Sequence, residues 1–310
     1  MRIRVRLFNV LTLSGGLQLL AGAQPAHAHG RLGHGQNPLT AWNLTPEVVI
    51  GTVLMGILYV IGLRRWKDPS HPVTLGQRVS FFAGLAAIFL ALQSPVDPVA
   101  EHLFFVHQIQ HLLLRMIGPA LLLLGRPLTP ILRGLPARMR QNVIQPIVEN
   151  TTARRLYGFL THPVGAPLSF ISTMYFWQAP GTHNLALRND LVHYLMHATM
   201  LFTGLLFWWL IIDPRSRLSY GLRLLVLGLV IIPNTALGAL ITFSDQVLYS
   251  AYGEVERLLD LSLLTDQQIG GLILWIPGDM MSFMAAGIIF MVWFQQEEKQ
   301  RTEEDQELAQ

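Results

Sequence analysis

Apolar runs long enough to cross a bilayer recur along this chain, and they leave few folds open to it. Runs of about twenty residues, the length a spanning helix needs, lie near 46–63, 78–94, 103–124, 163–180, 191–212, 222–243 and 269–294. Only 13% of the 310 residues are charged, about half the fraction usual in soluble domains. The pattern predicts an all-α, polytopic membrane helix bundle of seven transmembrane helices. The run ending "STMYFWQAP" is the weakest, because its Gly and Pro content predicts an irregular helix supported by its neighbours.

The N-terminus, "MRIRVRLFNVLTLSGGLQLLAGAQPAHAHG", reads as a secretory signal. Arg2, Arg4 and Arg6 form a basic start, an apolar stretch follows to about Ala23, and Ala26 and Ala28 make an A-x-A cleavage pattern. An uncleaved first helix is the alternative. The expected organisation is a cleaved signal peptide (1–28), a periplasmic His-containing segment (29–45), the seven-helix domain (46–294) and a charged cytoplasmic tail (295–310).

Basic residues set the orientation. Arg64, Arg65, Lys67, Arg78, Arg126, Arg133, Arg138, Arg140, Arg154, Arg155, Arg215, Arg217, Arg223, Lys299 and Arg301 fall on one side. Only Arg31, Arg188 and Arg257 fall on the other. The mature N-terminus is therefore expected outside and the C-terminus in the cytoplasm. With the positive charge explained by topology, nothing in the sequence points to nucleic acid.

The histidines are distributed as unevenly as the arginines. Only His71 and His162 belong to the inner side. His27, His29, His34, His102, His107, His111, His183, His193 and His197 all lie in the outer segment or the outer halves of spans. His107 and His111 are four apart in the third span, and His193 and His197 are four apart in the fifth. Side chains four apart share a helical face, and at 1.5 Å per residue the two pairs overlap in depth. If those faces meet, four imidazoles converge.

The H-E-x-x-H peptidase pattern fails at both pairs, since "QIQ" and "YLM" supply no glutamate. The chain has no cysteine, which removes disulfides, thiolate metal sites and thiol catalysis. Imidazole binds several transition metals, and thioether favours Cu(I). Met200 lies three residues after His197 and on the same face. The sequence thus predicts a copper site from His107, His111, His193, His197 and Met200, with haem not expected. His29 and His34 could collect metal weakly, or belong to a plain polar linker. Arg115 and Asp279 fall at similar depths on spans three and seven, and the sequence predicts an ion pair between them.

Four stretches carry a resemblance: "HQIQHLLLRMIGPALLLLGRP" (107–127), "LVHYLMHATMLFTGLLFWW" (191–209), "LYSAYG" (248–253) and "LLTDQQIGGLILWIPG" (263–278). In this order they are similar to the CtaG family of caa(3)-type cytochrome c oxidase assembly factors, seven-span bacterial membrane proteins. The family motif D-Q-x-x-G-G/A-x-x-x-W maps onto Asp266, Gln267, Gly270, Gly271 and Trp275. Asp266 is expected to cap its own helix, and the glycines to permit close helix approach. Two departures stand out. The family's W-H-x-P reads Trp177, Gln178, Ala179, Pro180, and His183 could supply the missing imidazole. Met196 replaces a usual glutamate, which shifts any metal chemistry toward Cu(I).

The resemblance implies a non-enzymatic factor in the bacterial inner membrane. It would deliver copper to the catalytic subunit of a cytochrome c oxidase, with periplasmic copper donors as further partners. A copper transport or resistance protein, a haem-binding redox membrane protein, and a metal-free docking surface made by the histidines remain open at this stage.

Overall fold

The computed structural model describes residues 37–66, 72–213, 216 and 218–308. The expected signal peptide, His29 and His34 lie outside the described residues, among which every regular element is helical.

In chain order the helices are α1 (Pro46–Arg64), α2 (Leu75–Gln93), short α3 (Val96–Ala100), α4 (Phe104–Leu112), α5 (Gly118–Leu124) and α6 (Leu128–Gly134). Three short helices follow, α7 (Ala137–Met139), α8 (Gln145–Glu149) and α9 (Thr151–Leu160). Then come α10 (Gly165–Gln178), α11 (Pro180–Arg188), α12 (Asp190–Ile212), α13 (Tyr220–Thr242) and α14 (Leu263–Leu308), which runs unbroken through the charged tail. Among the described residues α1, α2, α12, α13 and α14 are long and apolar enough to span, and Phe104–Leu124 with Leu128–Gly134, bent by 72°, counts as a sixth if the bent pair is one span.

The expected span at 163–180 is shorter than its apolar run suggests. Its helix, α10, has 14 residues, about 21 Å at 1.5 Å per residue, against about 30 Å of hydrocarbon. Proline ends it. Ala179 is extended, the conformation that a following proline imposes, and Pro180 opens α11.

The surface has the polarity that lipid favours. Ile232, Leu240, Phe283 and Ile288 are exposed, while Asp97, His107, Gln110, Arg115 and Asp266 are buried. Without water in the bilayer core, polar groups are stable only where the bundle satisfies them.

Two contacts position the histidine-bearing helices. The first lies at a π-helical turn, Leu113–Ile117, that joins α4 to α5. Pro119 has no N–H to offer the carbonyl four residues back, that of Arg115, and the turn widens so that Gly118 bonds Leu113 instead. Gly204 of α12 packs against the Arg115 carbonyl, where a Cβ would come within 2.5 Å of the oxygen. Gly204 is seven residues below His197, and Arg115 is four below His111. The crossing therefore sets one histidine pair against the other.

The second contact is Asp266, which does not cap its own helix. Ser262 does that, its Oγ accepting from the Thr265 N–H at 3.0 Å. The Asp266 carboxylate accepts instead from the Phe104 and Phe105 N–H groups, at 3.1 and 2.9 Å, and so caps α4 from across the bundle. Leu103, at the α4 N-cap position, has no side-chain acceptor to do so. Arg257 donates to the same carboxylate at 3.0 Å. Gly270, one turn on, leaves room for the Phe104 ring, and Gly271 lies against Thr242 of α13. Trp275 packs on Gly238 of α13. Gln267 holds the loop between α13 and α14, accepting from the Leu248 N–H at 2.7 Å and donating to the Gln246 carbonyl at 3.0 Å.

Gly204→Ala is expected to force α12 off the π turn and destabilise the fold by about 1–3 kcal/mol, the usual cost of overpacking. Thermal unfolding in detergent reads this, and an unchanged midpoint would refute the crossing as a constraint. Asp266→Ala strips α4 of its cap and is expected to cost about 2–3 kcal/mol. Hydrogen exchange at the Phe104 and Phe105 amides should rise in step, and continued protection there would refute the cap.

Candidate metal centre

The two i, i+4 pairs face one another. Ring centroids are 4.3 Å apart for His107–His111 and 4.4 Å for His193–His197. Between helices they are 5.2 Å for His107–His193 and 5.6 Å for both His107–His197 and His111–His197. All four rings are buried. One nitrogen each from His107, His111 and His197 lie within 4.8 Å of one another, a separation from which three imidazoles can share one ion. His193 flanks this group. The Nε2 of His107 and both ring nitrogens of His111 are buried with no hydrogen-bond partner among the described residues.

His183 reaches the centre by a different route. Its ring lies 5.0 Å from that of His107, but both its nitrogens are engaged. Nδ1 is 3.2 Å from the Trp177 carbonyl and Nε2 is 3.2 Å from the Tyr252 hydroxyl. The same hydroxyl is 2.7 Å from His107 Nδ1. Burial pushes the His183 imidazole down to about 3, against a smaller opposing effect of the Trp177 carbonyl, so the ring is neutral. Burial likewise pushes the Tyr252 phenol well up.

Gln178, at the departure from the W-H-x-P pattern, pairs with Gln108 of the histidine helix. Each amide donates to the other, at 2.5 and 3.4 Å. Gln110, on another face of α4, donates to Asp97 and to the Ala91 carbonyl, both at 2.8 Å. The two glutamines of "HQIQH" thus bond to groups away from the imidazoles and fix the rotation of α4 about its axis.

Met200 packs with Trp177, Ala186 and Met196. It also shares with His111, Met116, Met174 and Arg115 the wall of a cavity of about 10 Å³, close to the space one water molecule needs. Arg115 and Asp279 attract one another electrostatically but make no direct ion pair among the described residues. Its guanidinium lies 3.6 Å over the Phe170 ring and donates to the Phe170 carbonyl at 3.4 Å. Asp279 accepts from Asn234 at 2.8 Å and from the Thr235 hydroxyl, both on α13. Equal depth brought the two charges to one level, but the nearer donors on α13 took the carboxylate. His102 stands apart, its Nδ1 bonded to the Glu256 carbonyl at 2.9 Å.

Sequence reasoning did not single out Tyr252, Gln108 or Asp97. Tyr252 lies in "LYSAYG", a stretch that carried the family resemblance without an assigned role. A buried carboxylate such as Asp97 gives no periodic signal.

An uncharacterized protein of Mycobacterium tuberculosis (strain CDC 1551 / Oshkosh) is 28% identical over 273 residues, covering 86% of this chain and 41% of the relative. An uncharacterized protein of Mycobacterium bovis gives the same figures, and one of Mycobacterium leprae is 27% identical over 277 residues. The chain spans less than half the length of these relatives. No solved structure matches it. The family model for the cytochrome c oxidase caa3 assembly factor (Caa3_CtaG) covers residues 57–296, histidine centre included, and the chain belongs to that family.

Proposed function

We propose that this protein binds copper as Cu(I) at the histidine centre and passes it to the catalytic subunit of a haem–copper cytochrome c oxidase. The observation that carries this reading is the convergence of His107, His111 and His197 within 4.8 Å, with His107 Nε2 and both His111 nitrogens lacking protein partners among the described residues. A buried polar atom left without a hydrogen bond costs about 1–3 kcal/mol, and coordination would repay that cost. Metal–imidazole bonds of about 2.0 Å require the three nitrogens to draw in by only about an ångström.

Donor chemistry supports copper. The three groups are imidazoles, with no carboxylate among them. The thioethers of Met116, Met174 and Met200 line the adjoining cavity with His111. Soft sulfur and imidazole suit Cu(I) better than hard cations. The imidazoles are in mutual contact, which leaves no slot for a porphyrin between them. Arg115 in the cavity wall opposes passage of a cation toward the inner side, which favours lateral delivery over transport.

The centre is proposed to open to the periplasm, with the mature N-terminus outside and the C-terminus in the cytoplasm, on the strength of the arginine distribution. Periplasmic copper donors would load it. The protein's part is to bind and release, and no group in the centre is assigned a catalytic step.

Purified protein titrated anaerobically with Cu(I) against a colorimetric competitor is expected to bind near-stoichiometric copper. The double variant His107→Ala/His197→Ala should lose at least a hundredfold in affinity while keeping its helical circular dichroism. Absence of copper binding by the unaltered protein would overturn the proposal. A haem absorption band in the purified protein would favour a redox role instead.

A further inference from the structure

Three groups outside the triad form a line into it. The Trp177 carbonyl stands 3.2 Å from His183 Nδ1, His183 Nε2 stands 3.2 Å from the Tyr252 oxygen, and that oxygen stands 2.7 Å from His107 Nδ1. His183 and His107 are fully buried and Tyr252 is 2% exposed. We infer that His183 and Tyr252 are positioning residues that lock His107 in a single tautomer, with its proton on Nδ1 and the Nε2 lone pair turned to the metal.

The direction of the line follows from one fixed end. A peptide carbonyl can only accept, so His183 must carry its proton on Nδ1. A buried imidazole packed against other imidazoles, with no carboxylate bonded to it, is neutral, so its Nε2 holds a lone pair. The Tyr252 hydroxyl has one proton, and that lone pair takes it. The phenol oxygen is left as an acceptor toward His107, whose Nδ1 must therefore donate. The reverse order would place two lone pairs face to face at His183 and leave His107 Nε2 protonated, unable to coordinate.

The rest of the outer loop holds the phenol in place. Asn184 of α11 accepts from the Ala251 N–H at 3.1 Å and donates to the Leu248 carbonyl at 3.3 Å. Arg188 pairs with Glu254, and Gln267 bonds Leu248 from α14. Tyr252 meets the Phe104 ring edge-on at 5.7 Å, and Phe104 is the residue whose N–H Asp266 caps. A ligand imidazole held at its far nitrogen loses less freedom on binding and is a stronger donor. Because Nε2 is already bare, metal entry displaces no proton from His107.

The inference deepens the copper reading and rests on it for its purpose, but its first test needs no metal. In metal-free protein carrying ¹⁵N-histidine, assigned with a His107→Gln variant, His107 is expected as the Nδ1–H tautomer alone. In Tyr252→Phe, which removes one oxygen and keeps the ring, both tautomers should be present. A wild-type Nε2–H tautomer would overturn the relay whatever the protein binds. In Cu(I) competition, Tyr252→Phe is expected to weaken binding about 10–100-fold while keeping its helical circular dichroism. Equal affinity in the two proteins would also overturn it. If the wild type binds no Cu(I), the copper reading falls and the tautomer measurement alone decides the relay.

Discussion

A single carboxylate, Asp266, lies across the N-terminus of the helix on which the centre is built. It receives two backbone N–H groups of α4 and the Arg257 guanidinium. The α4 N-terminus carries partial positive charge and unpaired donors, and Leu103 supplies nothing to answer them. The anion on α14 therefore fixes where α4 begins. Since His107 and His111 lie one and two turns below that point, it fixes their depth as well. Gly270, on the same face of α14, admits the Phe104 ring, which stacks on Tyr249 at 4.2 Å. One ionic cap and one missing side chain thus tie the start of α14, the top of α4 and the tyrosine loop together.

Depth alone does not make a site, because rotation about the helix axis must also be set. Gln108 and Gln110 do this for α4, each held by a partner on a different neighbouring element, Gln178 at the end of α10 and Asp97 in α3. For α12 the setting comes from close approach at Gly204 to a carbonyl that Pro119 has freed. Buried imidazoles are costly in this environment, and the bundle holds them through the polar groups of α4 and its neighbours.

How much of this was legible in the sequence differs from feature to feature. The pairing of histidines at i, i+4 on two spans of matched depth is a local periodicity, and it carried over into four rings in contact. The predicted Arg115–Asp279 pair used the same depth reasoning without rotation. Facing requires the angle about each axis, and that depends on tertiary partners such as Asn234, Thr235 and Phe170. Asp266 was read as a cap correctly in kind but on the wrong helix, because Ser262 already fills the local role and nothing in a sequence marks a cap given across a bundle. The span at 163–180 was overestimated because hydropathy does not register the backbone break that Pro180 imposes at Ala179. Tyr252 lay in a loop, where no period exists to show which way a side chain points.

A three-imidazole centre has a consequence for release. Four converging protein ligands would enclose an ion, whereas His107, His111 and His197 form a group of three beside a small thioether-lined cavity. On the copper reading, Cu(I) is stable with two or three ligands, so a departing ion can lose one imidazole before the next donor takes it. Neither nitrogen of His111 is bonded to another group among the described residues, so on that reading its bond to the ion would be the first to break. His107 is tied through Tyr252 and stays. On the copper reading, an ion held by one anchored and one unanchored imidazole would leave stepwise toward an acceptor.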